Sequence, residues 1–165
     1  MTVKKRSPQN SQVEMTEMIL PQHTNPMGSV FGGVILSWVD IAAAICAQRH
    51  AQKPVVTASI DAMHFLAPIK LGWVVSIRAS VNYVSSTSCE VGVRIDAEDP
   101  LSRETFHTAS AYVTMVALNS HGRPTTIFPL EPQTEEEKKR YTDAVERRKV
   151  RLLLKETLQK KWEEK

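Results

Sequence analysis

Hydrophobic positions along this chain change their spacing twice, and the two changes divide it into three stretches. Before residue 13 there is almost nothing to bury: Lys4, Lys5, Arg6, Ser7, Pro8, Gln9, Asn10 and Ser11 predict a disordered N-terminus, residues 1–12. A short strand is expected from Val13 to Leu20, ending at Pro21. The following loop, Gln22-His23-Thr24-Asn25-Pro26-Met27-Gly28, is made of turn formers. From Val34 to Ala47 nearly every position is apolar, which predicts a helix of roughly five turns that ends near residues 49–53, before Pro54. A helix hydrophobic on all sides is expected to be buried, and this one is too short to span a bilayer.

After Pro54 the spacing switches to that of strands. Val55 to Phe65, Trp73 to Val84, Cys89 to Ala97 and Thr105 to Leu118 are rich in β-branched residues, and turn signals separate them. Val91, Val93 and Ile95 alternate with Gly92, Arg94 and Asp96, so one face of the sheet is expected to be solvated. A buried helix followed by an antiparallel meander is an α+β pattern, satisfied by one sheet curling around one helix over residues 13–130. The remainder, residues 131–165, reads as a helical extension. Thr134 and Glu137 form a capping box. Tyr141, Val145, Leu152, Leu154, Leu158 and Trp162 give an imperfect apolar stripe for packing on the same subunit or a neighbour.

Composition narrows the function classes. The 165 residues are 42% hydrophobic and 24% charged with a net charge of +3, as in an ordinary globular domain with a mild basic bias. That bias suits an anionic, phosphorylated ligand. No arginine-aromatic interleaving or docking motif points to nucleic acid. The absence of an apolar segment in the first residues or of a membrane span leads to the expectation of a soluble, cytoplasmic protein. Cys46 and Cys89 have no CxxC spacing and fit a reducing compartment. No His/Cys/Asp spacing suggests a metal site, and no G-x-S-x-G elbow is present.

Asp40 stands out, a carboxylate in the middle of an apolar helix. It either pairs or reaches solvent at the helix edge, or it is a desolvated general base. Gly28, Gly32 and Gly33 cluster at the helix entrance. They serve tight packing, or they open the first N–H groups of the helix to an oxyanion. Asn25 binds a water or a carbonyl oxygen, or makes an Asx turn. His23 reads as a polar loop residue or a catalytic group; His64 and His107 fall in strands and His121 in a turn.

The run from Asn25 through Gly28, Gly32 and Gly33 to Asp40 resembles the N-x-x-G-x-x-x-G-G-x-x-x-x-x-x-D signature of bacterial acyl-CoA thioesterases and brain-type acyl-CoA hydrolases. Residues 56–72 resemble that family's second strand and turn, and the likeness covers roughly residues 13–128. It implies a hotdog fold, dimers assembled into hexamers, and hydrolysis of acyl-CoA to free acid and CoA with no further cofactor. It also implies that Asp40 and Asn25 act together across a subunit interface. Gly32 and Gly33 would form the oxyanion hole, and Gly28 and Phe31 would contact substrate. Two departures stand out. Gly72 is followed by Trp73, and Ser85-Ser86-Thr87-Ser88 replaces a glycine-containing stretch near the cofactor phosphates. Ser86, Thr87 and Ser88 thus either bond a phosphate or form a polar hairpin. The rival readings are an acyl-CoA-binding hotdog protein without chemistry, and a hotdog hydratase or dehydratase using His23.

Overall fold

The computed structural model describes residues 5–163, with side chains placed through residue 160. The order is β1 (Val13–Met18), α1 (Gly32–Ala51), β2 (Val55–Ile60), β3 (Val74–Val84), β4 (Ser88–Glu98), β5 (Thr105–Ala117) and α2 (Glu135–Glu163). All neighbouring strands are antiparallel, in the spatial order β1-β3-β4-β5-β2. The inner face of the sheet, including Ile77, Val91, Ile95 and Met115, closes on Ile35, Val39, Ala43 and Cys46 of α1. This is the hotdog arrangement, a sheet curled around one helix.

Several expectations need correction. The meander covers only β3, β4 and β5. Residues 61–73 are too long for a hairpin, so β2 joins the sheet beyond β5 and ends at Ile60 rather than Phe65. The N-terminal segment is not disordered from Lys5 onward. Ser11 is buried in a short 3-10 turn over Pro8–Ser11. The Arg6 guanidinium donates to the carbonyls of Arg49 (3.2 Å) and His50 (2.8 Å), where a cation meets the negative end of the α1 dipole. Residues 1–4 lie outside the described ones.

The outer face of the sheet is only partly solvated. Arg94 is exposed, but Asp96 beneath it is buried and accepts hydrogen bonds from Arg78 and Arg94. Glu90 is 2% exposed and accepts from Arg147 and Arg151 of α2, both at 2.7 Å. These bonds hold α2 on the sheet. The capping box is present: the Glu137 N–H donates to Thr134 Oγ1 and the Thr134 N–H to Glu137 Oε2, each at 3.1 Å. Of the stripe expected along α2, Tyr141 packs on Tyr83, whereas Leu152, Leu154 and Leu158 are exposed. The Trp162 side chain lies outside those described.

α1 is not buried on all sides either. Gly33, Leu36, Ser37 and Ile41 are exposed, and Asp40 and Ala44 are half-buried. Their three- and four-residue spacing puts them on one stripe, so the chain alone leaves a single open seam along its inner helix.

His50 lies at the buried end of α1, where its Nε2–H donates to the Phe128 carbonyl at 2.9 Å and Nδ1 has no partner. Burial pushes its pKa below the usual 6.5, against the opposing effect of the Phe128 bond. Protonation would place an unpartnered N–H in the core. A histidine depressed in the folded state adds stability above its unfolded pKa, and that contribution is lost as pH falls below about 6.5. The urea midpoints of the wild type and of His50→Asn are therefore expected to converge between pH 7 and pH 5. A constant difference would contradict this role.

Candidate active site

The loop before α1 is built around Asn25. Its side-chain Oδ1 accepts from the N–H groups of Met27 (2.9 Å) and Ser29 (3.3 Å), and its backbone N–H donates to the Ser29 carbonyl. The Asx turn expected for this residue is therefore present. Gly28 completes the turn at φ +73°, a region that disfavours a side chain. With the amide oxygen committed to its own loop, what Asn25 still offers is its NH₂ group, a donor.

His23 is a structural member of the same loop. Its carbonyl accepts from the Phe31 N–H, Nδ1 accepts from the Leu20 N–H at 3.2 Å, and its ring meets Trp38 edge-on at 5.2 Å. Its carbonyl and Nδ1 are thus taken up in holding the loop.

Phe31 precedes α1 without a side-chain cap, and Gly32 and Gly33 are its first two residues. Their N–H groups lack intrahelical acceptors and sit at the positive end of the helix. The two glycines differ in purpose. A Cβ on Gly32 would lie 3.2 Å from the Phe65 ring, whereas one on Gly33 would meet nothing within 4 Å. Gly32 thus permits close packing, and Gly33 leaves an amide open to approach. Phe31 is exposed beside them.

Asp40 lies on the open stripe of α1, and Thr57 of β2 donates to its Oδ1 at 2.6 Å. Sequence reasoning missed Thr57. A threonine among Val55, Val56 and Ala58, on the strand after the helix, is the signal that points to it. A register shift between Thr57 and Ser59 marks an irregularity at Ala58, a device that re-aims side chains. Among the described residues no other partner for the carboxylate is found.

One distance governs what these groups can do together. Seven residues separate Gly33 from Asp40, about 10 Å along a helix at ~1.5 Å per residue. A carbonyl oxygen at one of these groups cannot have its carbon at the other.

The segment Ser85-Ser86-Thr87-Ser88 is a tight hairpin. The Ser85 N–H donates to the Ser88 carbonyl, and the Ser86 and Thr87 carbonyls accept from Ile127 and Ala117. Ser88 pairs with Val116, which pairs with Val56, so it stands about two strand spacings, ~10 Å, from the β2 residue next to Thr57.

The profile of the thioesterase superfamily matches residues 27–103. A Bacillus subtilis protein named as an uncharacterized acyl-CoA thioester hydrolase is 36% identical over 137 residues, covering 83% of this chain and 80% of its own length. The chain belongs to the thioesterase superfamily. Its fold is that of solved relatives. The acyl-CoA hydrolase of Bacillus cereus is 36% identical, with a TM-score of 0.91 over 95% of this chain and 96% of the other. The Staphylococcus aureus acyl-CoA hydrolase, solved with butyryl-CoA and CoA, gives 35%, 0.86, 95% and 98%. A hexameric acyl-CoA thioesterase gives 36%, 0.87, 90% and 96%.

The glycine geometry separates packing from chemistry. Gly33→Ala is expected to leave stability unchanged or to raise it by about 0.5 kcal/mol, since alanine favours a helix. Gly32→Ala should fall below it by thermal denaturation because Phe65 must move. Equal midpoints would remove the packing role of Gly32.

Proposed function

We propose that this thioesterase-superfamily chain hydrolyses acyl-CoA to a free acid and coenzyme A, in sites that each combine residues of two copies. The observation that carries the reading is Asp40, held by Thr57 on the one open stripe of α1, ~10 Å from the open amides that begin the same helix. Along one helix that interval is too long for the carboxylate to touch directly a carbonyl group bound at those amides. A second α1 running antiparallel along that stripe would set the entrance of one helix against Asp40 of the other. β2 supports this pairing. It is an edge strand whose residues from Val56 to Ser59 are exposed, whereas β1, at the opposite edge, shows ordinary alternation.

In such a site the thioester oxygen lies at the Gly32 and Gly33 amides of one copy, and the NH₂ group of Asn25 polarises the same carbonyl. Asp40 of the other copy takes a proton from water as the water oxygen bonds to the carbonyl carbon. The tetrahedral intermediate then collapses, the C–S bond breaks, and the CoA sulfur leaves with a proton. These groups and water account for every bond made or broken, so the reading needs no metal or other cofactor. The acyl chain would lie against Phe31, Leu36 and Ile41, with Gly28 at the rim. Ser86, Thr87 and Ser88 offer hydroxyls to the CoA phosphates. The Staphylococcus aureus enzyme has also been solved with single alanine replacements of an aspartate, a threonine and an asparagine, the same three residue types as Asp40, Thr57 and Asn25. The hexameric relative supports a trimer of such dimers. The reading also puts the chain in the cytoplasm, where free thiols persist.

Release of CoA can be followed with a thiol reagent, because Cys46 and Cys89 are buried and desolvation pushes both thiols up to about 12. Asp40→Asn is expected to lower kcat by about 10²-fold or more. Asn25→Asp keeps the acceptor of the loop and loses the donor, so it should fold normally yet lose about 10²-fold in kcat. Mixing unfolded Asp40→Asn and Asn25→Asp chains and refolding them should restore about a quarter of wild-type sites, since a mixed two-fold dimer has one intact site. Full activity in Asp40→Asn would end the proposal. No recovery on mixing would end its two-copy form.

A further inference from the structure

α2 crosses the sheet strand by strand and then runs out of sheet. Tyr141 packs on Tyr83 of β3, Arg147 donates to Glu90 of β4 and covers the Tyr112 ring of β5 at 3.6 Å, and Arg151 donates to Glu90 and to Asp61, one residue past β2. By Arg151 the helix has reached the last strand. It continues for twelve residues to Glu163, about 18 Å at ~1.5 Å per residue, or nearly four strand spacings of ~4.8 Å.

That overhang carries an apolar stripe that the described residues leave largely open. Val150, Leu153, Leu154 and Leu158 recur at three- and four-residue steps and are 66%, 65%, 57% and 49% exposed. Leu154 and Leu158 line one side of a groove of about 1370 Å³ whose other side runs from Tyr112 and Thr114 of β5 to Ser59 and Ile60 of β2. The buried Glu90 anchors the near half of the helix through Arg147 and Arg151, and the far half extends past that anchor.

We propose that the half of α2 beyond Val150 is a crossover arm that packs on a second copy of this chain, against the arm and the β2 outer face of that copy. The proposal rests on the two-copy reading above. A second sheet joined edge to edge at β2 supplies strands where the helix overhangs, and a two-fold axis there sets the two arms antiparallel with like stripes facing, as an isologous contact requires. The groove reaches Ser59 and Ile60 of β2, the strand at the unpaired edge of the sheet. The arm would therefore seal the outer layer over the junction whose inner layer holds the reaction sites.

The test uses the full chain with Val150→Cys, Leu154→Cys or Leu158→Cys, the two native cysteines being buried. Mild oxidation is expected to join copies covalently in at least one of the three. The Leu154→Glu, Leu158→Glu double variant should weaken dimerisation tenfold or more by analytical ultracentrifugation, with helix content unchanged by circular dichroism. If the wild type is dimeric or larger, yet no cysteine cross-links and the double variant assembles normally, the arm is overturned and the two-copy site stands. A wild type that is monomeric at micromolar concentration overturns both. Binding of phosphatidylcholine vesicles by the wild type but not the double variant, without cross-linking, also overturns the arm.

Discussion

A rigid helix keeps its two ends apart, and the chemistry read from this molecule depends on that rigidity. α1 carries open amides at Gly32 and Gly33 and a carboxylate at Asp40, two turns on, and nothing in a buried, well-packed helix shortens that interval. In the proposed reaction the groups have complementary roles toward a thioester, and along one helix they are too far apart to touch its carbonyl group together. Two-fold assembly resolves the conflict, because antiparallel copies place each end of one helix against the other end of its mate.

The pattern of burial follows from the same requirement. Ile35, Val39, Ala43 and Cys46 are sealed by the sheet, while Leu36, Ile41 and Asp40 face outward on one stripe. Large apolar side chains left open along an inner helix, next to an edge strand exposed on both faces, fit the second copy proposed above. Thr57 fits this arrangement. By donating to Oδ1 it fixes the carboxylate rotamer while leaving the other oxygen for water.

Much of this was legible in the sequence. The all-apolar run predicted α1, the alternation in Val91, Val93 and Ile95 predicted the inner face, and Thr134 with Glu137 predicted the start of α2 to within one residue. What failed were features that depend on tertiary partners. Arg6 orders the N-terminal segment by capping a helix end more than forty residues away, which no local pattern encodes. β2 pairs with β5 because residues 61–73 carry the chain across, and hydrophobic spacing does not specify the partner of a strand. The burial expected on every side of α1 was read from composition around the helix, but a chain destined for a partner has the same composition as one buried by itself.

The site residues show a similar division. Asp40, Gly32 and Gly33 were visible because each breaks a local rule, a charge in an apolar run or glycines where a helix begins. Thr57 breaks none, since threonine is at home in a strand, and only its 2.6 Å bond to Asp40 gives it a role. Asn25 was visible, but its job changes once the loop is seen. An amide whose oxygen already accepts two N–H bonds can only donate outward, which suits it to the proposed contact with a substrate carbonyl oxygen rather than to holding a water by its proton.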